Sequence, residues 1–128
     1  MGASSPTPTD ASPEAVIDTF NEAFNSHNVD RIMSLMTDDV IFENTSPAPD
    51  GERHEGQEAV RAFWTNLFES TPSARFDEED RFAAGGRATV YWRYSWTNPD
   101  GSTGHVRGVD VFQIRDGKVA EKRSYVKG

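Results

Sequence analysis

The chain contains no cysteine. That excludes disulfides, thiolate nucleophiles, thiolate-bound metals and iron–sulfur clusters, and it removes any need for an oxidising compartment. No apolar run approaches the roughly 18 residues that a membrane span needs. The start of the chain lacks the basic-then-apolar layout of a secretory leader. The expectation is a cytoplasmic protein with no membrane partner. Basic side chains are also scarce, with 13 Lys and Arg against 21 Asp and Glu and a formal charge of −8. Such a balance speaks against nucleic acid as a partner. No nucleophile elbow, P-loop or dinucleotide fingerprint occurs, and no His, Asp or Glu set has metal-ligand spacing. Neither a metal nor a cofactor is expected.

What remains is 128 residues, the size of one domain. Charge is unevenly spread along them. Residues 1–86 carry 5 basic and 17 acidic side chains, whereas residues 87–128 carry 8 and 4. An acidic helical half beside a mixed-charge sheet half explains this; a mildly cationic mouth for an anionic ligand is the sharper alternative. Residues 1–11 have no large apolar side chain after Met1 and read as a flexible arm. The domain is then residues 12–128.

Ser12-Pro13-Glu14 is a helix start, with a hydroxyl cap, a first-turn proline and an acid near the positive dipole end. Val16, Ile17, Phe20, Ala23 and Phe24 follow at helical spacing. Asn28 caps a short second helix whose apolar face is Val29, Ile32, Met33 and Met36, and Asp38-Asp39 ends it. Val40–Glu43 reads as a short strand and residues 44–55 as a loop. Val60, Phe63, Trp64, Leu67 and Phe68 form the stripe of a third helix opened by Gly56. Beyond Thr71-Pro72-Ser73 the period becomes two. Strands are expected over 74–84, 87–97, 104–115 and 118–126, separated by Gly85-Gly86, Asn98-Pro99-Asp100-Gly101 and Asp116-Gly117. Helices followed by an antiparallel meander make an α+β domain, and a curved sheet wrapped over helices leaves a cone with one open end for a small-molecule pocket.

Asp110 is the residue most suggestive of chemistry. It shares the even face of its strand with Val106, Gly108, Phe112 and Ile114, which points the carboxylate with the core; Val109 and Val111 make the odd face partly apolar as well, and the opposite pleat stays open. An unpaired buried carboxylate is costly and must find hydrogen bonds, a cation or a proton. It is therefore either an acid–base group or the partner of a structural cation such as Arg93 or Lys122. Gly108 is expected to leave room beside it for a ligand. Asn44, directly after the first strand, is placed to orient a carbonyl or a water, or else is an ordinary turn residue. His54 is read at the pocket mouth, His27 as solvated, and His105 on the face opposite Asp110. Phe20, Phe24, Phe42, Phe63, Trp92, Tyr94 and Phe112, with Ser124 on the last strand, complete the expected pocket.

Two stretches carry a family resemblance. One runs from Asn25-Ser26-His27-Asn28-Val29-Asp30-Arg31 through Met36-Thr37-Asp38-Asp39-Val40-Ile41-Phe42-Glu43-Asn44 to His54-Glu55-Gly56-Gln57-Glu58-Ala59-Val60-Arg61-Ala62-Phe63-Trp64. The other is Gly108-Val109-Asp110-Val111-Phe112 with Asp116-Gly117-Lys118-Val119-Ala120-Glu121-Lys122. Together they resemble the nuclear-transport-factor-2-like (NTF2-like) superfamily, nearest its branch of SnoaL-like polyketide cyclases and ketosteroid isomerases. The resemblance implies a cone-shaped roll of curved antiparallel sheet over N-terminal helices. It also implies an apolar small-molecule ligand, cofactor-independent acid–base chemistry on a carbonyl compound, and a homodimer through the outer sheet face, for which Val109, Val111 and Tyr125 are candidates.

Position by position, the isomerase's general-base aspartate matches Asn44, its oxyanion-hole tyrosine matches Phe20, and its protonated oxyanion-hole aspartate matches Asp110. An amide cannot be that base, and Phe20 has no hydroxyl. Limonene-epoxide-hydrolase-like members hold a water with a Tyr and an Asn, which match Phe42 and Asn44; their Arg-x-Asp pair is replaced by Tyr91 and Arg93. SnoaL-type cyclases need a single pocket aspartate, a requirement Asp110 meets. Three readings stay open: an isomerase- or cyclase-like enzyme, a non-catalytic ligand- or partner-binding module, and an epoxide-hydrolase-like enzyme.

Overall fold

The computed structural model describes residues 12–127. The expected arm over residues 1–11 lies outside the described residues. Helix α1 spans Pro13–Asn25, α2 Val29–Ser34 and α3 Gln57–Ser70. Strands are β1 Met36–Glu43, β2 Arg53–Glu55, β3 Arg75–Ala84, β4 Arg87–Thr97, β5 Thr103–Arg115 and β6 Lys118–Val126. The Ser12 hydroxyl caps α1 by accepting from the Ala15 amide at 3.2 Å, and Asn28 Oδ1 caps α2 by accepting from the Arg31 amide at 3.0 Å.

The six strands form one open sheet in the order β2-β1-β6-β5-β4-β3. β3 to β6 are the antiparallel meander, but β1 runs parallel to β6. The sheet is thus mixed rather than wholly antiparallel, because the chain passes through the loop and α3 between β1 and the meander. Three local expectations also change. Met36 does not extend α2; it opens β1, and Asp38 and Asp39 are exposed strand residues. Residues 53–55, read as loop, form β2, whose Arg53-His54-Glu55 has no apolar alternation to announce it.

One face of the sheet packs on the helices. Val16, Ile17, Phe20 and Phe24 of α1 and Val60, Trp64 and Phe68 of α3 meet Val40, Phe42, Phe76, Val90, Trp92 and Phe112 from the sheet. Burial of this apolar set is the main stabilising contribution. The other face carries a cross-strand row Tyr91–Val109–Tyr125, with both tyrosines exposed. Among the described residues no helix is long and apolar enough to cross a membrane.

Polar ties fix α1 on the sheet at both ends. Asn25 Nδ2 donates to the Phe76 carbonyl at 2.8 Å, and the Phe76 amide donates to Asn25 Oδ1 at 2.9 Å, so the side chain pairs with β3 as a neighbouring strand would. Arg81, also on β3, donates to Glu78 and Asp18 and to the Glu14 carbonyl. His27, expected in solvent, is half-buried at the end of α1. Its Nε2 lies 2.8 Å from the Ala74 carbonyl and its ring stacks on Phe68 at 4.3 Å.

Candidate functional site

Between α1, α3 and the inner sheet face lies a cavity of about 150 Å³. Its walls include Phe20, Phe24, Phe42, Phe63, Trp92 and Tyr94, and its polar groups come from Asn44, Asp110 and Ser124. The structure also brings Thr45, Trp64, Leu67, Phe76, Val106 and Lys122 to it, none of which was expected in the pocket. A second hollow of about 610 Å³ opens at the loop after β1 and shares Asn44, Thr45 and Ser124 with the first.

The floor is polar and buried. Asp110 is 1% exposed and Lys122 5%. Ser124 Oγ donates to Asp110 Oδ1 at 2.6 Å, Lys122 Nζ donates to Ser124 Oγ at 2.9 Å, and Nζ lies 3.2 Å from Asp110 Oδ2 in an ion contact. Oδ2 receives no aligned hydrogen bond. The indole N–H groups of Trp64 and Trp92, both in the cavity wall, also lack a partner among the described residues. Such atoms cost free energy unless a ligand or water satisfies them. Nζ stands over the Phe42 ring at 4.5 Å, over Trp64 at 5.5 Å and over Phe20 at 6.0 Å, within cation–π range. Burial pushes the Lys122 ammonium below the ordinary lysine value, and the Asp110 charge opposes that shift. Burial also holds the Tyr94 phenol above its ordinary value, so it stays protonated.

This trio exists because of a β-bulge. Next to the Asp116-Gly117 turn, Arg115 pairs with Lys118 and Ile114 with Val119, but Gln113 pairs with Glu121. Ala120 is the extra residue. Beyond it Asp110 stands opposite Ser124, and Lys122 and Ser124 turn to the inner face.

Several expectations are corrected here. Phe112 is core rather than lining: it packs edge-on against Phe20 at 5.8 Å. His54 does not edge the cavity. It packs on Phe42 and Phe63, whose rings line the cavity, and itself lines a separate hollow with Ala59, Ala62 and Asn66. Gly108 leaves no room for a ligand. A Cβ there would lie 2.5 Å from the Trp92 ring and 2.2 Å from the Tyr125 carbonyl oxygen, so the indole already fills the space the glycine frees. Asn44 does reach the cavity, but its Oδ1 accepts from the Glu52 amide at 2.7 Å, which ties it to the loop and leaves Nδ2 for a ligand.

Lys122 is the functional candidate that sequence reasoning placed only as a structural partner. Its signal was the spacing to Ser124 on one strand face, readable once the bulge is known. Among the described residues no three His, Asp or Glu side chains converge on a possible metal position.

Comparison with known proteins agrees with this architecture. The model of the SnoaL-like domain matches residues 17–122. An NTF2-like protein of unknown function from Mesorhizobium loti is 36% identical over 100% of both chains, with a TM-score of 0.76. A protein from Sinorhizobium meliloti, provisionally named a polyketide cyclase, is 20% identical over 86% of this chain and 93% of its own, with a TM-score of 0.70. A hypothetical protein from Catenulispora acidiphila with a ketosteroid-isomerase-like fold, in complex with trimethylamine, is 14% identical over 89% of this chain and 85% of its own, with a TM-score of 0.78. These last two likenesses concern the fold alone. No curated protein matches the chain. With the domain model spanning most of its length and a relative identical at over a third of positions, the chain belongs to the SnoaL-like family of NTF2-like proteins.

Proposed function

We propose that this protein is a cofactor-independent acid–base enzyme for a small, largely apolar carbonyl compound, with Asp110 carrying the proton. The observation behind it is the Asp110–Ser124–Lys122 trio, its two charged members buried, on the floor of an aromatic cavity. Ser124 holds Oδ1, which leaves Oδ2 as the oxygen that accepts a substrate proton. The ligand's carbonyl oxygen takes a hydrogen bond from Lys122 Nζ. Removal of the α-proton places negative charge on that oxygen beside an ammonium in a water-poor site, where such stabilisation is strongest. Returning the proton to a different carbon completes an isomerisation; attack of the enolate on a second carbonyl of the same ligand turns that oxygen into an alkoxide, and return of the proton from Asp110 to it completes a cyclisation. A polyketide cyclase name among structural relatives is in keeping with this class.

The test is solvent exchange. Acetophenone in deuterated buffer should lose its α-protons faster with protein than without, as followed by NMR. Asp110→Asn should reduce that rate by about 10²–10⁴-fold, the usual contribution of a positioned acid–base group. Exchange no faster than buffer would rule the reading out. It would leave a ligand-binding module without chemistry, which the amide at Asn44 and the ring at Phe20 favour.

A further inference from the structure

We infer that Lys122 forms a covalent imine with a small aromatic aldehyde or ketone bound in the cavity. The inference uses the site of the acid–base reading but does not depend on proton abstraction from carbon. Three observations carry it. Lys122 is buried and lines the cavity, so its Nζ can meet a ligand without crossing solvent. The faces of Phe42, Trp64 and Phe20 surround that nitrogen, which selects a flat apolar carbonyl compound over a polar one. A proton route leads away from Nζ through Ser124 Oγ to Asp110 Oδ1. The exposed lysines Lys118 and Lys127 have no such surroundings.

The step balances within these groups. The ammonium passes one proton along Ser124 to Asp110, leaving an amine and a carboxylic acid. The nitrogen lone pair attacks the carbonyl carbon, and the C=O π electrons move to oxygen. Asp110 gives its proton to that oxygen and takes one from the new N–C centre, which yields a carbinolamine. Asp110 then protonates the hydroxyl, the C–O bond breaks, water leaves and the nitrogen lone pair closes the C=N bond. The product is an iminium beside a carboxylate. One buried ion pair has replaced another, so no unpaired charge is left in a low-dielectric site. Desolvation of a lysine in an apolar pocket is a recognised means of activating it as a nucleophile.

Benzaldehyde tests this directly, because it has no α-proton to exchange. The full-length protein is incubated with benzaldehyde and sodium cyanoborohydride, and the trapped secondary amine is located by peptide mass mapping. We expect Lys122 to be modified at least tenfold faster than Lys118 or Lys127 in the same molecules, and unfolding in urea to erase that preference. Benzyl alcohol, of similar shape but without a carbonyl, should protect Lys122 alone. Asp110→Asn should slow trapping tenfold or more, and Lys122→Arg should abolish it while keeping the buried cation. Labelling of Lys122 no faster than that of Lys118 and Lys127 in the folded wild type overturns the inference, whether or not the variants fold. Trapping without acetophenone exchange removes only the proton-transfer reading; exchange without trapping removes only the imine.

Discussion

Lys122 and Asp110 are each tolerated in the interior because the other is there. Removing one partner of a buried ion pair leaves an uncompensated charge and typically costs about 3–5 kcal/mol. Lys122→Met should therefore destabilise the fold by about that amount in urea titrations. The double variant Lys122→Met, Asp110→Leu should be more stable than Lys122→Met alone; a simple sum of the two single effects would show that the pair is uncoupled. The pH dependence has a defined sign. Burial holds the Lys122 ammonium below the ordinary lysine value of 10.5. Between the folded-state value and 10.5 the unfolded chain binds more protons than the folded one, so this site's contribution to stability rises with pH. Wild type compared with Lys122→Met should show that rise as pH approaches 10.5, and a flat or falling difference would contradict it. Gly108 is the other decisive residue at this scale. Gly108→Ala drives a methyl into the Trp92 ring and the Tyr125 carbonyl, so a loss of about 1–3 kcal/mol is expected in thermal or denaturant unfolding.

At the scale of elements, polar ties fix where α1 and α3 sit around the cavity. Asn25 joins the end of α1 to β3 with two hydrogen bonds to Phe76. Gln57, at the start of α3, donates to the carbonyls of Met33, Met36 and Thr37 and so ties α3 to the α2–β1 corner. Asn25→Ala leaves the Phe76 amide and carbonyl without partners, at a cost of about 2 kcal/mol. Because Phe24 sits next to Asn25 and packs on Tyr94 and Phe76 in the cavity wall, the same variant should weaken ligand-induced thermal shifts. Unchanged shifts would mean that the wall is set by other ties. The helices of this frame were legible in sequence from caps and apolar spacing. β2 was not, since three polar residues gain strand geometry only by pairing with β1.

For the whole molecule, volume decides the ligand class. The inner cavity is about 150 Å³, comparable to engineered cavities that take up benzene and smaller than the roughly 300–1,000 Å³ typical of drug-sized ligands. One-ring carbonyl compounds should raise the melting temperature, since a ligand at 100 times its dissociation constant adds about 2.7 kcal/mol. Four-ring ketones at equal concentration should not. A larger shift with the four-ring compounds would show that the ligand occupies the wider hollow bounded by Glu43, Pro49 and Arg53 instead.

The period-two pattern of β4 and β5 and the 3.6-residue pattern of α1 and α3 are local properties, and they determined the element types; with Val109 and Val111 apolar on the other face of β5, the inward face of Asp110 was decided by the packed structure. The partner of that carboxylate was decided elsewhere. Counted straight back from the Asp116-Gly117 turn, Arg123 would stand opposite Asp110, and Lys122 and Ser124 would face outward. The bulge at Ala120 shifts the register by one residue and exchanges the two faces. A strand's side chains alternate with a period of two, so a one-residue slip reverses every one of them. The slip is settled by what must be buried across the sheet: Val119 against the core on one side of the bulge, and Lys122 against Asp110 on the other. Parallel pairing of β1 with β6 has the same origin, because it joins segments some eighty residues apart and no local pattern in either encodes the other.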